Sequence, residues 1–132
     1  MRDISSLIIH HSASPRITTA KQIKEWHKAK GWTDIGYHYV IEATGKLVIG
    51  RPVENIGAHC KGYNIDSVGI CLTGDNTKDA EKWGLAQLAV LYDIIHAFRL
   101  VFPMIRIFGH KDLGATECPG LNIKEVLKLE GK

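Results

Sequence analysis

The sequence predicts a mixed α/β fold on one domain spanning residues 1–132. Short apolar runs of strand character recur along the chain, and between them lie stretches whose apolar residues repeat at helical spacing. The size fits, since 132 residues with 45% apolar content can bury one core, and no repeat or low-complexity segment marks a second domain.

Residues 7–10, Leu-Ile-Ile-His, read as a buried strand leading into a loop that contains Pro15. Thr19 and Gln22 then form a capping box for a helix running to about Lys30, with Gly31 as its stop. Ile23, Trp26 and the stem of Lys30 fall on its inner side, Trp26 as a core residue. Residues 38–42 and 46–49 flank Ala43-Thr-Gly45 as a hairpin. Residues 67–73 are apolar on both faces and read as a central strand. After a charged loop at 74–82, Leu85, Leu88, Leu91, Tyr92, Ile95 and Phe98 mark the longest helix, which Pro103 ends. Residues 104–108 are a short strand, and Asn122 with Glu125 caps a last helix.

Charge and cysteine usage exclude several classes. A formal net charge of +3 comes from scattered basic residues, which suits an anionic polymer but not a nucleic-acid-binding patch. Three cysteines without a CxxC pair give neither a disulfide framework nor a zinc ribbon. The N-terminal residues 1–6 lack the apolar stretch of a secretory signal, and no segment is long enough for membrane insertion. The expectation is a monomer made in the cytoplasm.

The segment Gly109-His-Lys-Asp-Leu-Gly-Ala-Thr-Glu-Cys-Pro-Gly120 places His110 and Cys118, both good zinc ligands, on one Gly-rich loop. Two ligands leave a tetrahedral shell incomplete, and the obvious third donor lies in Leu7-Ile-Ile-His-His-Ser-Ala-Ser14. Successive strand side chains point to opposite faces, so His10 and His11 cannot both reach one metal. Ile8 and Ile9 are equally apolar, and periodicity does not choose between the two histidines.

Taken in order, His10-His-Ser-Ala-Ser14, Trp26-His27, Gly36-Tyr-His-Tyr-Val-Ile41, Gly57-Ala-His-Cys-Lys-Gly-Tyr-Asn64, Ser67-Val-Gly-Ile-Cys71 and His110 with Cys118-Pro119 make a pattern that covers nearly the whole chain. It resembles the zinc-dependent N-acetylmuramoyl-L-alanine amidases of type 2, which include small phage lysozymes and the peptidoglycan recognition proteins. The resemblance implies a central mixed β-sheet flanked by helices, with one Zn2+ per chain in an open cleft on one face. It makes His10, His110 and Cys118 the ligands, leaves the fourth place to water, and sets the Tyr37 phenol toward the scissile carbonyl as an oxyanion donor. Two residues before the cysteine, the phage enzymes it most resembles carry lysine. Here the residue is Thr116, as in catalytic peptidoglycan recognition proteins, and it offers a neutral hydrogen bond in place of a charge.

The implied activity is hydrolysis of the amide between N-acetylmuramic acid and L-alanine, with peptidoglycan or muropeptides as partner. It would act on the wall after release, as an endolysin does, or on cytosolic muropeptides. His59, Lys61 and Asn64, on a loop expected to flank the cleft, are candidate substrate contacts. Tyr37, Thr116 through water, or His59 could pass the proton to the departing amine. Cys60 and Cys71 read as small core residues, His27 and His96 as helix residues without a role, and Arg51 as half of a structural charge pair. Asp112 is placed to hold the ligand loop or to orient a histidine. Two rivals stand beside this reading. One is a non-catalytic recognition module, which in the family usually lacks the cysteine. The other is a zinc staple, which would need His11 as a fourth ligand.

Overall fold

A computed structural model describes residues 2–128; Met1, part of the N-terminal segment read above, and the last four residues of the span expected to form one domain lie outside them. Five strands form one mixed sheet in the order β3-β2-β4-β1-β5. They are β1 (Ser6–His11), β2 (Tyr39–Ile41), β3 (Leu47–Ile49), β4 (Ser67–Leu72) and β5 (Arg106–Gly109). The β2–β3 pair is the expected antiparallel hairpin, while β2, β4, β1 and β5 run parallel to one another. Three helices, α1 (Ala20–Ala29), α2 (Leu85–Val101) and α3 (Ile123–Leu127), complete the fold. None of the helices among the described residues is long and apolar enough to cross a membrane.

All six residues of β1 and of β4 are buried, as befits parallel strands covered on both faces. The two faces differ in character. Leu7 and Ile9 of β1 and Val68, Ile70 and Leu72 of β4 point into the larger core, which α2 and α3 close with Leu91, Ile94, Ile95 and Ile123. The opposite face of β4 carries Ser67, Gly69 and Cys71, alternating with those large residues. There Cys71 packs with Val40, Ile35, Ala20 and Ile23 in a smaller cluster under α1. The sheet is therefore full on one side and shallow on the other.

The helix starts follow the sequence. Thr19 Oγ1 accepts the Gln22 N–H at 3.2 Å while Gln22 Oε1 accepts the Thr19 N–H at 2.9 Å, and Asn122 Oδ1 accepts the Lys124 N–H at 2.9 Å. Two expectations need correction. In α1 only Ala20 and Ile23 are buried, so Trp26 sits on the flank at 46% exposure and Lys30 is exposed as well. The last strand starts at Arg106 because a turn, closed by the Ile105 N–H on the Phe102 carbonyl, takes up Pro103 and Met104.

Gln87, fully buried on α2, ties the helix to the sheet. Its Nε2 donates to the Thr73 and Ile41 carbonyls at 2.8 and 3.2 Å, and its Oε1 accepts the Gly84 N–H. Gln87→Leu is expected to lower stability by about 1–3 kcal/mol, because it strands buried backbone groups. Urea denaturation checks this, and an unchanged midpoint would show that those groups find other partners.

Candidate metal centre and cleft

The register of β1 on β5 builds the first half of the site. Ile9 pairs with Gly109, so His10 and His110 emerge side by side, with ring centroids 4.7 Å apart. His10 pairs with Cys71 and therefore lies on the shallow face of the sheet. The loop from His110 to Cys118 then folds back. It is closed by the Lys111 N–H on the Cys118 carbonyl at 2.6 Å and braced by Asp112, whose Oδ2 accepts the Gly109 N–H at 2.8 Å. Cys118 Sγ receives the His11 N–H at 3.3 Å and lies 3.7 Å from His10 Nδ1. The ligating atoms of His10, His110 and Cys118 all fall within 4.8 Å of one another, the one such group among the described residues.

His11 turns away. Its Nδ1 accepts the Asn76 N–H at 3.2 Å, and its ring lies against Gly120. The cluster gains no fourth member from this strand, and two imidazoles and a thiol facing an open cleft could hold a metal with one position left open, unlike a closed structural site.

The cleft over the cluster has a volume of about 500 Å3, and Tyr37, His59 and Thr116 share it. Gly36, just before Tyr37, donates its N–H to His27 Nδ1 at 2.9 Å. The Tyr37 ring lies 5.0 Å from that of His10, and its phenol shares a hydrogen bond with the Cys71 thiol beneath. Burial, with the two nearby thiols, pushes the phenol well above its usual pKa of 10, so it remains a donor. Thr116 Oγ1 accepts the Cys118 N–H at 3.2 Å, which leaves its O–H free to turn into the cleft.

His59 reaches His10 from the other side. Its Nδ1 lies 2.9 Å from His10 Nε2, and its Nε2 lies 3.3 Å from Ser67 Oγ. Gly69 makes the room, since a Cβ there would lie 2.5 Å from His59 Cγ. Of the other loop candidates, Asn64 uses its Oδ1 to accept the N–H groups of His59 and Cys60 at 3.1 and 2.9 Å, so it shapes the loop. Lys61 lines an adjoining cavity of about 400 Å3 together with Lys30 and Trp32, and this cavity shares Tyr37 and His59 with the first.

Two histidines escaped the sequence reading. His27, assigned no role, anchors the residue before Tyr37. His38 is fully buried, accepts the Gly69 N–H at Nδ1 (3.0 Å) and lies 2.8 Å from the Asn55 carbonyl at Nε2. Arg51 is structural, as expected, but its partners are the Ile35 and Ile56 carbonyls at 3.0 and 2.8 Å rather than an acid.

A mixed sheet with an open three-ligand cluster defines a class of metal-site hydrolase folds. Within it, the family described as N-acetylmuramoyl-L-alanine amidase matches residues 1–121, and this chain belongs to that family. The endolysin of Enterobacteria phage K11 is 33% identical, over 96% of this chain and 87% of that protein. Peptidoglycan-recognition protein SC2 of Drosophila simulans is 34% identical, over 91% of this chain and 70% of that protein. The N-acetylmuramoyl-L-alanine amidase LysC from Clostridium intestinale has a similar structure, with a TM-score of 0.87 at 30% identity over 99% of this chain and 88% of that one.

Burial keeps the site's imidazoles neutral. It lowers the pKa values of His10, His11, His38, His59 and His110, and that of His59 falls to about 3. In the unfolded chain these rings titrate near their ordinary 6.5. Between the two values the unfolded state binds more protons, so the stability present above pH 6.5 is lost as pH falls toward 3. The urea midpoint of metal-free protein is expected to hold down to about pH 6.5 and to drop steadily from there to pH 4.5. A flat profile would mean that the folded state protonates these rings without cost.

Proposed function

We propose that this chain hydrolyses the amide between the lactyl group of N-acetylmuramic acid and L-alanine, with zinc held by His10, His110 and Cys118. The observation that carries the reading is the convergence of two neutral imidazoles and a thiol below Tyr37 in an open cleft. Two nitrogens and one sulfur suit zinc among the common divalent ions, and the open side suits a water or a substrate oxygen. Bound zinc supplies Lewis acidity to the amide carbonyl and lowers the pKa of a water within its reach.

The protein's own groups do the rest. His10 Nε2–H donates to His59 Nδ1, and His59 Nε2–H donates to Ser67, which fixes the tautomer that leaves His10 Nδ1 unprotonated beside Cys118. His59 is thus a positioning residue in this reading rather than a substrate contact. With both of its nitrogens engaged, the proton for the departing amine passes on the Tyr37 and Thr116 side of the cavity. The Tyr37 O–H donates to the oxyanion as the carbonyl becomes tetrahedral, and the Thr116 hydroxyl provides a second neutral donor. The cavity with Lys30 and Lys61 takes the stem peptide, whose free carboxylates match two ammonium groups. A recognition module on the same fold would have no use for the thiol that His11 and the loop hold in place.

Zinc-loaded protein is expected to release L-alanine amino termini from purified peptidoglycan, and Cys118→Ser or a chelator to stop the release. Zinc-dependent binding of muropeptides without turnover would favour the recognition module. Tyr37→Phe is expected to lower kcat by about 10²–10³-fold with little change in KM. An equal loss in both substrate affinity and rate would move Tyr37 from chemistry to binding. Because burial raises the Cys118 thiol to about 12 in the metal-free protein, zinc must displace a proton. Calorimetry in buffers of different ionisation heat is therefore expected to show about one proton released per zinc, with affinity rising with pH between 6 and 8. Absence of proton release would exclude the thiolate as a ligand.

A further inference from the structure

The sheet ends on β3, and that edge is open. Glu42 donates its N–H to the Lys46 carbonyl and Gly50 donates its own to the His38 carbonyl, so Val48, midway between them, is the strand residue whose backbone groups face β2. Leu47 and Ile49 turn their N–H and C=O groups the other way, where they have no backbone partner among the described residues. Their side chains lie opposite Ile41 and Tyr39 on the α2 face, and they stay 42% and 72% exposed. An edge with free backbone groups and bare apolar side chains is a template for another strand.

The α1 side of the same edge adds a cavity and charge. Val48 points there with Val40, beside a cavity of about 240 Å3 lined by Ala20, Ile35, Val48 and Gly50 together with Lys21 and Lys24. Lys24 Nζ lies 3.7 Å from Asp34 Oδ1, while Lys21 has no acid within ion-pair distance among the described residues. By alternation Lys46 points to this face as well, and Glu42, its neighbour across the hairpin, has Oε2 engaged by the Ala20 N–H at 2.8 Å. The edge thus presents ammonium groups at both ends and an apolar hollow between them. A second copy of this chain is the wrong occupant. Antiparallel pairing of β3 with itself about Val48 would set Lys46 of each copy against the Lys21 and Lys24 end of the other, so like charges would meet twice.

We propose that β3 is a docking edge for an extended segment of another polypeptide, with an apolar residue opposite Val48 and an acidic residue two positions to either side of it. The residues opposite Leu47 and Ile49 exchange backbone hydrogen bonds with them and cover their side chains on the α2 face. The residue opposite Val48 enters the cavity, which is larger than the roughly 150 Å3 in which an apolar pocket already holds benzene. One acidic residue then meets Lys46, and the other meets Lys21 and Lys24. The edge lies at the opposite end of the sheet from β1 and β5, which carry His10 and lead into His110, so binding there is independent of the amidase reading.

The probe is the peptide acetyl-Glu-Val-Leu-Val-Glu-amide, titrated into isotope-labelled protein and followed by amide NMR. It is expected to shift the backbone amide resonances of Leu47 and Ile49 together with those of Lys21 and Lys24, and to bind at least about tenfold more tightly than acetyl-Lys-Val-Leu-Val-Lys-amide. N-methylation of both valines removes the peptide N–H groups that face β3 and is expected to abolish the shifts. Lys21→Glu combined with Lys24→Glu, both at exposed positions, is expected to close the gap between the acidic and basic peptides. Equal binding of the two peptides to the unaltered protein, undiminished binding of the N-methylated one, or shifts that are absent or confined to the metal-ligand cleft overturn the docking edge. Sedimentation velocity provides a second check. Concentration-dependent dimerisation that Ile49→Glu abolishes would give the edge to a second copy and overturn the assignment to an acidic segment.

Discussion

The reactive end of the cleft depends on a side chain that is absent. Gly69 sits in the middle of β4, and a methyl group there would lie 2.5 Å from the His59 ring. Without that space His59 could not lie flat against the sheet, reach Ser67 with one nitrogen and hold His10 with the other. An imidazole that must present one chosen nitrogen to a metal needs such a partner, since a free ring can rotate and exchange tautomers. His38 reinforces the arrangement from below by accepting the Gly69 N–H itself. The strand that makes room for His59 is therefore also held in position by a second histidine.

The sheet divides its work between its faces. Large residues of β1 and β4 meet α2 and α3 and form most of the apolar core, whereas the small residues of β4 leave a hollow that α1 covers only in part. Charge follows the same division. The imidazoles around the cluster are kept neutral by burial, so the hollow stays receptive to a cation. Ammonium groups stand farther out, at Lys30 and Lys61, beyond the ligand atoms. A cation at the centre and carboxylates at that end can then be held without competing for the same groups.

Much of this was legible in the residues. His110 and Cys118 announced themselves by type and spacing, and the α1 capping box, the Asn122 cap of α3 and the hairpin turn lie where local chemistry placed them, while Glu125 pairs with Lys128 instead of closing a box. The choice between His10 and His11 was not available from β1 alone, because both of its faces are buried. It was present instead in β4, where Val68, Ile70 and Leu72 alternate with Ser67, Gly69 and Cys71, and the small set marks the face that stays hollow. Reading that strand as uniformly apolar hid the signal. Trp26 misled because an aromatic at helical spacing from Ile23 suggests a core position, yet α1 buries a stripe only two residues long. His27 and His38 were hidden for a different reason. Their partners are backbone N–H groups 9 and 31 residues away, and no pattern of side-chain types records such a bond.

The three side chains of the cluster are spread over residues 10 to 118, and the strands that bring them together pair across long stretches of chain: β1 waits for β4 on one side and β5 on the other. Non-local pairing of this kind forms late, after the loop-closure entropy has been overcome. A partly synthesised chain that has placed His10 on its strand still lacks both other members of the cluster, and one that has reached His110 still lacks the thiol. The cluster thus closes only when residues 10 to 118 are all in place, and fragments or half-folded chains are left without it.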